Sequence, residues 1–142
     1  IISKQQYCLS HENKIMLKFH HLGIACENIK EVTVFLENTF SIVKKSKIVF
    51  LENQGVDACL LTNDDGTNIE LVSGKTIEGF VKKKQFLYHS CWEVENIDTA
   101  IKSFVDNDCL LISEPKPSIL FNNRKVAFLI TDVGILELLE AE

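Results

Sequence analysis

Four side chains of this sequence pair off in a way that could do metal chemistry. His21 lies in "HHLGIACENI" and His89 in "YHSCWEVENI", 68 residues apart. Glu70 interrupts the apolar run of "NIELV" 49 residues after His21, and Glu137 interrupts "GILELL" 48 residues after His89. A carboxylate set among Ile and Leu must be paired, coordinated or solvated, because burying it alone is costly. Two imidazoles and two carboxylates brought to one place would suit a divalent metal with positions left for water or substrate. Each residue alone has a plainer reading, a core histidine or a glutamate on a wet strand face. Four of them at equivalent places of a repeat would need that coincidence twice.

The repeat also predicts the elements that must position these groups. An offset of 68 residues superposes Glu27, Asn28 and Ile29 on Glu95, Asn96 and Ile97. Behind Asn28, a candidate N-cap with Glu31 three residues on, Ile29, Val32, Phe35, Leu36 and Phe40 recur at helical spacing. Ile97, Ala100, Ile101, Phe104 and Val105 repeat the pattern behind Asn96. Strand-like runs precede the helices, from Phe19 to Cys26 and from Leu87 to Val94. Three more follow each helix: Lys47 to Leu51, Val56 to Thr62 and Asn68 to Val72, then Leu110 to Ser113, Arg124 to Thr131 and Ile135 to Leu139. The expected fold is α+β, two tandem βαβββ copies. Residues 1–17 form an extension and 18–142 one domain, with copies at 18–75 and 86–142 and a lysine-rich linker at 76–85. Strand parity puts His21, Gly23 and Ala25 on one face of the first strand and His89, Cys91 and Glu93 on one face of its counterpart.

Composition narrows the function classes. A chain of 142 residues suits one hydrophobic core. With 15 basic against 20 acidic residues it lacks the basic face that a nucleic acid requires. No stretch approaches the ~20 apolar residues of a membrane helix, and "IISKQQYCLSHENK" has no signal-peptide pattern. A soluble, cytoplasmic protein is expected. Cys8, Cys26, Cys59, Cys91 and Cys109 are odd in number and scattered, which predicts buried free thiols rather than disulfides or a thiolate zinc site.

With His in "HHLGIA", Glu in "IELV", His in "YHSCWEV" and Glu in "ILELL", residues 18 to 142 resemble the vicinal oxygen chelate superfamily. It includes glyoxalase I, extradiol dioxygenases, methylmalonyl-CoA epimerase and antibiotic-resistance proteins. The resemblance implies two curved sheets closing as a cup around one divalent ion held by His21, Glu70, His89 and Glu137, in a homodimer. Co, Ni, Mn and Zn all suit such a mixed donor set. "NQGVDACLL", "LYHSCWEVENI" and "SEPKP" look most like methylmalonyl-CoA epimerase, which implies a small-molecule substrate such as an acyl-CoA thioester. Asn53 and Ala58 stand where epimerases often carry acids, and "SILFNNRK" replaces their glycine-rich loop. The same four ligands also occur in glyoxalase I.

Both enzymes abstract a proton next to a carbonyl through a metal-stabilised enolate. In that chemistry Glu137 is the first candidate for a ligand that is also the base, with Glu70 as its pseudosymmetric partner. Three functions stay open: an epimerase, a glyoxalase-type lyase acting on a hemithioacetal, and a non-catalytic binding or resistance protein. Lys82, Lys83 and Lys84 read as a solvated helix end. Arg124 and Lys125 have a better claim to coenzyme A phosphates. His20 is expected to point away from His21, Cys91 to pack as a small apolar residue and Trp92 to lie in the core on the opposite face.

Overall fold

Both Glu-Asn-Ile triplets turn the chain from strand to helix, and asparagine makes the turn. Asn28 and Asn96 keep extended backbone, and their Oδ1 atoms accept the Glu31 N–H (3.1 Å) and the Thr99 N–H (2.9 Å). These bonds satisfy donors that a helix start leaves orphaned. The computed structural model describes residues 14–142. It runs β1 (Lys18–Ala25), α1 (Ile29–Thr39), β2 (Ile42–Lys45), β3 (Val49–Leu51), β4 (Val56–Asn63), β5 (Asn68–Ser73) and α2 (Glu78–Lys82). β6 (Leu87–Val94), α3 (Ile97–Asp106), β7 (Leu110–Ser118), β8 (Arg124–Thr131) and β9 (Gly134–Glu140) complete it. Of the expected extension, residues 1–13, with Cys8, lie outside the described residues, while Ile15 packs against the cluster under α3.

Among the described residues nine strands make one curved sheet in the order β2-β4-β5-β1-β6-β9-β8-β7, with β3 also on β4. β1 and β6 pair antiparallel at its centre, and each is flanked in parallel by the closing strand of its own half, β5 beside β1 and β9 beside β6. This is the α+β pair of copies that the repeat predicts, the second βαβββ and the first with one further strand, β2, after its helix. Apolar residues fall into layers on the two faces. Leu61, Ile69 and Leu71 pack against Leu36 of α1, and Leu129, Leu136 and Leu138 against Ala100 of α3. Inside the cup lie Ala25, Ala58 and Val72 in the first half and Cys91, Val126 and Leu139 in the second. Alternation along β5 and β9 therefore sends Leu71 and Leu138 to the helices, and Glu70 and Glu137 into the cup.

The copies differ from expectation at their edges. β2 was not anticipated and β3 is shorter than Lys47 to Leu51, because Val43, Lys44 and Lys45 are all exposed and show no alternation. Charged, short strands of this kind protect a sheet edge. β7 runs on through Pro115 and Pro117 to Ser118, which an edge strand tolerates because its outer donors need no partner. The lysine-rich linker contains α2, where Lys82 meets Glu78 at 3.4 Å on the surface. Trp92 is half-buried against the α3 cluster, as expected. Among the described residues no helix is long and apolar enough to cross a membrane.

Replacing Asn96 by Ala is expected to lower stability by about 1 kcal/mol, seen as a lower urea midpoint at unchanged slope. An unchanged midpoint would mean that Glu140, whose Oε2 accepts the Ile97 N–H at 2.9 Å, caps α3 without help from Asn96.

Candidate metal centre

Strand register brings the four repeat-related residues together. β1 holds His21 beside Cys91 of β6, Cys91 pairs with Glu137 of β9, and Gly23 of β1 lies between Glu70 of β5 and His89 of β6. His21, Glu70, His89 and Glu137 are each no more than 3% exposed, and one donor atom of each falls within 4.8 Å of all the others. His21 Nε2 is 2.7 Å from Glu70 Oε2, 3.2 Å from Glu137 Oε2 and 3.2 Å from His89 Nε2. His89 Nε2 is 3.0 Å from Glu137 Oε2 and 3.9 Å from Glu70 Oε2.

These contacts are close, but they are not a satisfied hydrogen-bond network. Among the described residues, Glu70 Oε2 and Glu137 Oε2 are both buried without a hydrogen-bond partner despite the nearby imidazoles. Their lone pairs converge on the same small space as the two Nε2 atoms. Donors ~2.1 Å from a shared ion and at right angles to one another would lie about 3 Å apart, which matches most of these separations. Charge fits as well, since two carboxylates with two neutral imidazoles carry the double negative charge that a divalent cation cancels. Without a cation, burying two carboxylates side by side would be strongly unfavourable.

The titration behaviour has the same origin. Burial alone would lower the His21 pKa, but Glu70, Cys91 and Glu137 together raise it well above the ordinary imidazole value. Burial would raise Glu137, and His21 and His89 hold it below the usual carboxylate range instead. Burial, then the Glu137 carboxylate, pushes the Cys91 thiol up to about 12, so it stays neutral. Cys91 packs with Phe121, Val126 and Leu139 as expected of a small apolar residue, although its Sγ also lies near His20 and His21. Cys26 and Cys59 are buried free thiols too, and Cys109 is half-buried.

Aromatic rings wall the centre. Phe121 stacks on His21 with centroids 5.3 Å apart, and Tyr88 and Phe128 meet His89 edge-on at 4.4 and 5.6 Å. Phe128 also borders a cleft of about 300 Å³ between the β3–β4 turn and β7, lined by Phe50, Glu52, Asn53, Lys116 and Ser118. Asn53 Nδ2 donates to the Pro117 carbonyl at 3.3 Å and ties the two sides of this cleft together. Ser118 Oγ is buried there without a partner among the described residues, and nothing in the sequence singled it out. Asp57 is exposed on β4, whereas its neighbour Ala58 faces the cup.

Two expectations need correcting. His20 does not point away from His21: its Nδ1 lies 2.8 Å from His21 Nδ1 and its ring meets Phe121 edge-on. A register shift between Phe19 and His21 breaks the alternation that the expectation relied on. Burial, then His21 and Arg124, lower the His20 pKa to about 4, so this ring is neutral. Arg124 is not free for phosphates, because Nη2 donates to Glu93 Oε2 at 2.6 Å and Nε to the Glu140 carbonyl at 2.7 Å. Those bonds lock β8 to β6 and β9. Lys125 is exposed at the start of β8.

Comparison with known proteins agrees with this architecture. A hypothetical protein of Bacillus halodurans C-125 is 25% identical and superposes with a TM-score of 0.70 over 89% of this chain and 95% of that one. Methylmalonyl-CoA epimerase from Mycobacterium tuberculosis gives a TM-score of 0.70 at 17% identity, over 87% of each chain. The Streptomyces coelicolor methylmalonyl-CoA epimerase, in complex with 2-nitronate-propionyl-CoA, gives 0.67 at 17% identity, over 90% of this chain and 99% of that one. No curated protein sequence matches the chain. The family model of the glyoxalase/bleomycin resistance protein/dioxygenase superfamily matches residues 20–128, a span that holds His21, Glu70 and His89. With most of its length inside that match, the chain belongs to the glyoxalase/bleomycin resistance protein/dioxygenase superfamily.

Proposed function

We propose that this protein is a divalent-metal-dependent enzyme that removes a proton beside a carbonyl, acting as an epimerase of acyl-CoA thioesters of the methylmalonyl-CoA type. The convergence of two buried imidazoles and two unpartnered carboxylate oxygens carries the proposal. An ion held by His21, Glu70, His89 and Glu137 would supply Lewis-acid polarisation of the substrate carbonyl.

The remaining work falls to the side chains. Glu137, with Oε2 turned to the shared centre, takes the proton from carbon 2 at Oε1. The C–H bond breaks and its electron pair moves toward the carbonyl oxygen. A proton from solvent then enters on the opposite face and inverts the carbon, and Glu137 passes the proton it took to solvent. Glu70, contributed by the other half of the cup, is the candidate relay on that opposite face. A positioned acid or base of this kind is worth ~10²–10⁴ in rate. Phe121 and Phe128 keep bulk water from the carbanion-like carbon. The cleft beside Phe128 is the place for the acyl portion, with Asn53, Lys116 and Ser118 as its polar contacts.

The test is metal analysis of the freshly purified protein, followed by incubation with methylmalonyl-CoA in deuterated water. About one ion per chain and deuterium at carbon 2 are expected, with no turnover of the glutathione adduct of methylglyoxal. Turnover of that adduct alone would move the protein to the glyoxalase class. Metal-free protein, inactive on both substrates even after loading with Co, Ni, Mn or Zn, would overturn the enzyme reading and favour a binding role.

A further inference from the structure

The two central strands carry the same irregularity at repeat-related places. β1 and β6 pair Phe19 with Trp92 and then His21 with Cys91, leaving His20 as an extra residue. Further along they pair Gly23 with His89 and then Ile24 with Leu87, leaving Tyr88 as an extra residue on the other strand. Positions 20 and 88 differ by the same 68 residues as the two candidate ligands that follow them. Bulges re-aim side chains, and here each one lays a ring against the next imidazole. The centroids are 5.1 Å apart for His20 and His21 and 4.4 Å for Tyr88 and His89, both nearly perpendicular.

The two bulged residues differ in what they offer. Tyr88 presents a ring, and His89 Nδ1 stays buried with no partner among the described residues. His20 presents a nitrogen 2.8 Å from His21 Nδ1. Two nitrogens this close share one proton, and chemistry decides which carries it. If His21 binds an ion through Nε2, the atom that faces Glu70 and Glu137, its own ring proton must sit on Nδ1. His20 must then accept at Nδ1 and keep its proton on Nε2. Ligand histidines usually give their second ring N–H to a fixed acceptor, which sets the tautomer and the ring plane.

We infer that His20 is the positioning residue of the centre: it accepts the Nδ1–H of His21 and thereby holds Nε2 toward the metal position, while His89 is oriented only by packing. This rests on the metal reading proposed above. Zn²⁺ affinity of the full chain, measured by chelator competition, should fall ~10–100-fold in His20→Phe, the usual effect of losing such a partner. His20→Asn should stay within a few-fold of wild type, because its Oδ1 can stand where Nδ1 stands. In ¹⁵N spectra of the metal-free wild type, His20 should be protonated at Nε2 and bare at Nδ1, a readout that needs no variant to fold. Equal Zn²⁺ affinity in wild type and His20→Phe, or a proton on His20 Nδ1, would overturn the inference and leave the metal reading standing. Wild-type protein that binds no Zn²⁺ would overturn both.

Discussion

Glu137→Gln should keep the ion and lose the proton transfer. Gln matches Glu in size and retains one coordinating oxygen, and its neighbours Leu136 and Leu138 still pack under α3, so β9 should keep its place. What disappears is the basic charge. Exchange of the carbon 2 proton should therefore fall ~10²-fold or more, with the loss in kcat rather than in substrate affinity. Glu70→Gln should be milder if Glu70 is chiefly a ligand, and equal losses would mean that the carboxylates act as a two-base pair, one on each face of the carbon. Normal exchange in Glu137→Gln with the metal in place would remove Glu137 from the base role. Glu52, which borders the cleft, would be the next carboxylate to test, ahead of Asp57, which is exposed on β4.

Gly23→Ala should empty the centre as thoroughly as His89→Ala, although Gly23 bears no donor. It stands directly opposite His89 across β1 and β6. A Cβ built on it would overlap Cε1, Nδ1 and Nε2 of the His89 ring. The imidazole lies over bare backbone because only glycine leaves that space, and the requirement is one of volume rather than of backbone angle. Adding the methyl must push His89 off its partners. Overpacking of this sort costs ~1–3 kcal/mol of stability, and a displaced ring cannot reach Glu137. Metal content should drop to the level of His89→Ala, which is expected to retain none after dialysis. The double variant should be no worse in metal binding than either single one, since both remove the same contact. A Gly23→Ala protein that holds its ion with wild-type affinity would show that His89 is not a ligand or that β1 can yield.

Local chemistry made much of this architecture legible in advance. Asn28 and Asn96 announce their helices, and the matching intervals from His21 to Glu70 and from His89 to Glu137 identify β5 and β9 as the strands that close each half. What could not be read depends on pairing between distant strands. The bulges at His20 and Tyr88 arise from the register of β1 against β6, which no single strand encodes, so alternation misplaced His20. Arg124 looked like a free cation because Glu93, which neutralises it, is 31 residues away in sequence. The edge strands β2 and β7 carry exposed or proline-bearing patterns that resemble loops. Gly23 looked like an ordinary strand glycine until a ring from another strand was seen lying on it.

The antiparallel meeting of β1 and β6 also sets an order of events. Each half carries one imidazole and one carboxylate, and each can bring its own pair together through β1 with β5 or β6 with β9. Those pairings span fewer residues than the one joining β1 to β6, and contacts of short span close sooner on average. A nascent or partly folded chain would therefore offer an ion two donors at a time and hold it weakly. On the proposed metal reading, full coordination would come only when the last pairing zips, so tight capture of the ion would be a late event that reports completed folding. Stripping the ion should loosen that seam first and leave the helix-covered halves standing.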